Sequence, residues 1–126
     1  MKTNSYRKIQ ERAKMRIAIP IADGKLSAHF GHCEVFTVFD VDADKKEIKG
    51  RNSFEAPPHE PGLLPKWLAE KGADVIIAGG IGQRAISLFE EQGIKVICGA
   101  PRLEPENLVQ EYMKGSLTTG DNLCDH

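Results

Sequence analysis

The stretch that most constrains this chain is Ala73-Asp74-Val75-Ile76-Ile77-Ala78-Gly79-Gly80-Ile81-Gly82, a continuous apolar run that breaks abruptly into glycines. A short run rich in β-branched residues reads as a strand buried on both faces. A helical pattern starts near Gln83 and sets Ala85, Ile86 and Phe89 on one face. Gln92-Gly93 ends it, and Ile94-Lys95-Val96-Ile97 is a second buried strand. Strand, helix and strand in such close succession make a βαβ unit, with parallel strands and a right-handed crossover. The chain is therefore α/β. Its glycines fall at the carboxyl end of a parallel strand, where open α/β sheets keep their ligand crevices.

The remaining elements fit around that unit. Arg16-Ile17-Ala18-Ile19-Pro20-Ile21 reads as a buried strand ended by Pro20 and the turn at Asp23-Gly24. Val35-Phe36-Thr37-Val38-Phe39-Asp40-Val41 carries apolar side chains on both alternating faces, as a central strand does. Lys45 to Arg51 returns as a charged strand whose lysines suit an exposed edge. Glu55 to Pro65 holds Pro57, Pro58, Pro61, Gly62 and Pro65 and is a loop, with His59 in its middle as a surface residue. A short helix from Pro65 carries Trp67 and Leu68 toward the core and closes at Gly72. The last helix spans Glu104 to Lys114, with Leu108, Val109, Tyr112 and Met113 at helical spacing.

At 126 residues this is one domain. Residues 1–14 form a basic extension, with Lys2, Arg7, Lys8, Arg12 and Lys14 against Glu11, and read as flexible. Residues 15–114 form the folded body, and residues 115–126 a flexible tail without periodicity that ends on Cys124-Asp125-His126. With the leader set aside the body is acidic and repels phosphate backbones, so no nucleic-acid partner is expected. No apolar run approaches the roughly 18 residues needed to cross a bilayer. The leader also lacks the apolar middle of a signal peptide, so the chain is expected in the cytoplasm, away from the membrane. Three cysteines, an odd number, in a reducing compartment point to free thiols or metal ligands instead of disulfides.

Ser27-Ala28-His29-Phe30-Gly31-His32-Cys33 hangs from the end of the first strand and puts two imidazoles and a thiol within five positions. These side chains bind soft and borderline metals, which makes His29, His32 and Cys33 candidate ligands. The same stretch also reads as a solvated loop with a small apolar residue opening the next strand. Cys124 and His126 read as a ligand arm, or as a terminus with an incidental thiol. Backbone N–H groups from Gly80 to Gly82, at a helix start, suit an anionic guest. Gly79-Gly80-Ile81-Gly82 lacks the dinucleotide spacing, and no Lys-Ser or Lys-Thr pair follows as in a P-loop, so a nucleotide is not the expected ligand. Cys98 reads as a buried residue at a strand end.

Several of these marks occur together in a known family. Met15-Arg16-Ile17-Ala18-Ile19-Pro20, His29-Phe30-Gly31, the Pro61-Gly62 to Leu68 stretch before Gly72-Ala73-Asp74, and Gly79-Gly80-Ile81-Gly82 followed by Ala85 span Met15 to about Lys114. In them the chain resembles the dinitrogenase iron-molybdenum cofactor biosynthesis family, which includes NifX-like and NafY-like cluster carriers, the carrier domain fused to NifB, and stand-alone members similar to the orange protein. The resemblance implies a ribonuclease H-like three-layer α/β fold, a five-stranded mixed sheet flanked by helices. It also implies a nitrogenase-accessory type of role: binding and delivering a metal-sulfur cluster (Fe-S or Mo/Fe-S, with Cu possible) between donor and acceptor proteins, without catalysis. On this reading His29, Phe30, Gly31, Gly79, Gly80 and Gly82 line the cluster site. His32, Cys33, Cys124 and His126 join His29 as metal ligands on donor chemistry alone. No Cys-x3-Cys-x2-Cys motif is present, so the radical chemistry of NifB does not transfer. Two other readings stay open: a zinc-binding or protein-interaction module built on the same donors, and a nuclease on the ribonuclease H-like scaffold. The latter needs carboxylates converging on two metal ions, and Asp23, Asp40 and Asp74 are scattered in sequence.

Overall fold

The apolar run around Ile17-Ala18-Ile19 forms β1 (Lys14–Ala22), and the other strands take their places from it. The structure, a computed structural model, describes residues 14–28, 33–57 and 62–120. After β1 come β2 (Lys25–Leu26), β3 (Val35–Asp42), β4 (Glu47–Glu55), α1 (Leu63–Glu70), β5 (Val75–Ile77), α2 (Gln83–Glu91), β6 (Lys95–Ile97) and α3 (Pro105–Lys114). Five strands lie in the order β4-β3-β1-β5-β6, with the two-residue β2 paired to β1 beside them. β3 is antiparallel to β1 and β4, whereas β5 and β6 run parallel to β1. This is the mixed sheet with helices on both faces, of ribonuclease H-like type, that the family resemblance implies.

Side-chain alternation builds the three layers. Ile17 and Ile19 join Phe39, Val41, Val75 and Ile77 on one face, which α3 covers with Leu108 and Val109. Ala18 joins Phe36, Val38, Ile76 and Ile81 on the other, under Leu64 and Leu68 of α1 and Phe89 of α2. Trp67 is half-buried at the edge of that layer. Its ring meets Phe36 and Phe54 edge-on, with centroids 5.7 and 6.0 Å away. The Lys71 ammonium lies 4.4 Å from the centre of the Phe54 ring, a cation–π contact at the rim. β4 is the charged edge strand, and its Lys49 and Arg51 face outward and pair with Glu47 and Glu106. Among the described residues no helix is long and apolar enough to cross a membrane.

Several boundaries differ from the sequence reading. β1 does not stop at Pro20 but continues to Ala22, and Lys14, assigned to the leader, is its first residue and pairs with Asp42. Pro20 is tolerated because its missing N–H falls on the side of β1 away from β3, between the residues paired to β5 and those paired to β2. α1 begins at Leu63, before Pro65. The proline sits in the first turn, where its absent N–H has no helical partner to lose. β4 runs on to Glu55 because Phe54 still packs inward, past the polar Asn52-Ser53 that hid it. Residues 115–120, expected as the start of a flexible tail, are held down: Leu117 packs beneath α3 and the Gly120 N–H donates to the Gly99 carbonyl at 2.6 Å. One apolar anchor and a main-chain bond leave no periodic signal to read. Residues 1–13 and 121–126, with Cys124 and His126, lie outside the described residues.

Phe89 is fully buried where α2 meets the sheet. Phe89→Ala is expected to lower the unfolding free energy by about 3–5 kcal/mol in a urea titration. Leu103→Ala, at a side chain 40% exposed, should stay within about 0.5 kcal/mol.

Candidate functional site

Asp23 (φ 55) and Gly24 (φ 76) form a two-residue turn at the carboxyl end of β1. The turn feeds β2 onto the side of β1 that β5 leaves free beyond Ala18. From β2 the chain passes to Ser27, whose N–H donates to Pro20 O (2.9 Å), and to Ala28, whose carbonyl accepts from Gly80 N–H (2.8 Å). It is picked up again at Cys33 and Glu34, where Glu34 N–H donates to Ile21 O (2.8 Å) and Ala56 N–H to Glu34 O (3.0 Å). Both flanks of the histidine stretch are thus fixed at the carboxyl end of β1, one of them directly against the glycine turn. His29, Phe30, Gly31 and His32 themselves lie outside the described residues.

The glycines of the turn have different tasks. A Cβ on Gly79 would stand 3.1 Å from the carbonyl oxygens of both Ser27 and Ala28, so the bare α-carbon lets the two segments touch. Gly79 O accepts from Gly99 N–H at 2.8 Å. Gly80 spends its N–H on Ala28, so that amide is not free to donate to the sulfides of a guest, as the sequence reading had it. Gly82 stands before α2 with φ −70 and ψ 151, and among the described residues a Cβ there would meet nothing within 4 Å. Among the described residues no side chain caps α2 at this end. An uncapped helix start beside open space carries partial positive charge and suits an anionic guest.

Cys33 is half-buried against the α1–α2 layer. Burial pushes its thiol up to about 11, with a backbone hydrogen bond offsetting part of the effect. At neutral pH it is therefore a neutral thiol, and it becomes a ligand only by yielding its proton to an incoming metal. Cys98, also free and half-buried, directly precedes Gly99 at the same end of the sheet.

The opposite end of β1 is tied by Arg16. Its Nε donates to Asp40 Oδ1 (2.7 Å), its Nη1 to Lys71 O (2.8 Å), and its backbone N–H to Asp74 Oδ2 (2.9 Å). A concavity of 410 Å³ opens there among Lys14, Arg16, Asp40, Lys49, Gly72 and Asp74. Asp40 and Asp74 are committed to Arg16, while Asp23 lies at the far end of the strand, so the three carboxylates a nuclease would need do not converge. Among the described residues no three His, Cys, Asp or Glu side chains group closely enough to hold a metal ion. Sequence reasoning missed the pairing of Ala28 with Gly80 and of Gly99 with Gly120. The only signal was the glycines that follow shortly after β5 and β6.

Residues 13–115 match the family described as dinitrogenase iron-molybdenum cofactor. The chain belongs to this family. It is also 37% identical over 108 residues to an uncharacterised protein of Methanocaldococcus jannaschii, covering 82% of this chain and 89% of that one. Its fold is similar to the crystal structure of PH0822, with a TM-score of 0.76 and 31% identity over 83% of this chain and 94% of the other. It is similar too to the apo form of the orange protein from Desulfovibrio gigas, with a TM-score of 0.55 and 25% identity over 86% and 94% of the two chains.

Two measurements check this geometry. Gly79→Ala should loosen the contact with Ser27 and Ala28 and speed hydrogen exchange at the Gly80 amide, whereas Gly82→Ala should leave that exchange unchanged. With Cys98 and Cys124 replaced by serine, alkylation of Cys33 by iodoacetamide should rise with pH along a curve centred near 11. Because the folded thiol titrates above its ordinary 9.0, its contribution to stability is complete below pH 9 and is lost as the pH rises toward 11.

Proposed function

We propose that this protein binds and delivers a metal-sulfur cluster, an iron-molybdenum-cofactor-like or related Fe/Mo/Cu-S unit, as a carrier between donor and acceptor proteins. Family membership across residues 13–115 carries this reading. The fixed flanks of the histidine stretch, the open uncapped start of α2 and the half-buried thiol of Cys33 support it. His29 and His32 would supply imidazole donors, Cys33 a thiolate, and the α2 amides partial positive charge toward the sulfides. Phe30 and Gly31 would shape the cradle, with Gly79 and Gly80 holding its wall. So few protein ligands leave the cluster free to be passed on, which suits a carrier better than a catalyst. Free thiols at Cys33 and Cys98 fit a reducing cytoplasm.

The test is anaerobic incubation of the purified protein with ferrous iron, sulfide and tetrathiomolybdate, followed by desalting and visible spectroscopy. Wild type should retain a charge-transfer absorption, and His29→Ala should weaken uptake by about tenfold or more, as loss of a metal-supporting group does. Equal uptake by both proteins, or none by either, overturns the assignment. Tightly held stoichiometric zinc without cluster uptake would move the reading to a structural-ion module.

A further inference from the structure

The sheet face beneath α3 changes character where that helix begins. Phe39 and Val41 of β3 pack into the apolar layer there, but Thr37, two residues earlier on the same face, meets Ser53 of β4 with its Oγ1 3.0 Å from the Ser53 Oγ. Beside this pair opens a hollow of about 300 Å³, walled by the turn at Gly24, by Arg51, and by Glu104 and Glu106 at the amino end of α3. That volume stands at the lower end of small-molecule pockets.

The groups around the hollow have bonding capacity that the fold does not use. Thr37 is only 7% exposed, yet its hydroxyl and that of Ser53 carry two protons and spend one on each other, which leaves one O–H without an acceptor among the described residues. α3 opens on Pro105, which has no N–H, and lacks a side-chain cap, so the Glu106 and Asn107 amides also stand free among the described residues. Arg51 and Glu106 pair with each other, whereas the Glu104 carboxylate meets no cation among the described residues.

The signs of these groups select the ligand. The α3 amides and the Arg51 guanidinium attract an anion, but the unpaired Glu104 repels one. A simple cation suits Glu104 and leaves the amides unmet. A molecule bearing both charges on neighbouring atoms satisfies both. We propose that this hollow binds a small polar α-amino acid as its zwitterion, with the carboxylate on the Glu106 and Asn107 amides and Arg51, the ammonium on Glu104, and a side-chain oxygen at the Thr37–Ser53 pair. The site lies on the face of the sheet opposite α2 and stands independently of the carrier reading.

The experiment is a titration of the isotope-labelled full-length protein with L-serine at neutral pH, followed by amide chemical shifts, with glycerate and ethanolamine as probes that each lack one of the two charges. L-Serine should move the Ser53, Glu106 and Asn107 amides saturably, and either probe should bind at least about tenfold more weakly, as loss of a charged hydrogen bond does. Glu104→Gln should remove the preference for L-serine over glycerate. The similarly shaped Thr37→Val should weaken L-serine several-fold with the spectrum of α3 intact. An absence of saturable shifts at these amides, equal binding of all three compounds, or a preference for L-serine over glycerate that persists in Glu104→Gln overturns the site.

Discussion

The structure depends on how β1 shares its two edges. Along one it pairs with β3 over all but its last residue, from Lys14 opposite Asp42 to Ile21 opposite Val35. Along the other it is divided, holding β5 at Ile17 and Ala18 and β2 at Ile21 and Ala22. The driving force is burial, since Ile17, Ala18 and Ile19 are completely enclosed. A fully buried aliphatic side chain contributes about 1.5–3 kcal/mol, against about 0–1 kcal/mol for an exposed ion pair such as Arg16–Asp40. Packing therefore fixes the strand order, and the surface charges trim its ends. The division of the second edge separates β2 from β5, and the chain leaving β2 meets the glycine turn in the space between.

What holds that meeting place together is main chain. Ala28, Gly79, Gly80, Gly99 and Gly120 are joined through backbone N–H and C=O groups, with Gly99 leaving no room for a Cβ and Gly79 only a tight fit for one. The described thiols, Cys33 and Cys98, contribute no side chain to this row. Cys33 keeps its proton at neutral pH, so the protein does not have to bury an uncompensated thiolate. On the carrier reading proposed above, loading would exchange that proton for a metal.

Much of this architecture is local enough to read from the sequence. The uninterrupted run at Val75-Ile76-Ile77, the two-faced pattern of Phe36, Val38, Phe39 and Val41, and the helical spacing of Leu108 and Val109 each reflect a burial pattern written within a few residues. Two adjacent turn residues also marked the end of β1. The two-residue β2, the passage of β1 through Pro20 and the seating of Gly120 on Gly99 were illegible, because each depends on which distant backbone lies alongside. The site divides the same way. Donor types are visible in the string of residues, whereas the use of the Gly80 amide to close a contact instead of greeting a guest appears only in three dimensions.

The placement of Trp67 has a practical consequence. It is the only tryptophan in the chain, and its indole is gripped by Phe36 and Phe54 in the same apolar layer on which Cys33 packs. Its emission therefore comes from one position in the fold. A coloured inorganic cargo absorbs where indole emits, and energy transfer acts over distances comparable to the width of a domain this size. On the carrier reading proposed above, that emission would serve as an optical gauge of whether the protein is empty or full.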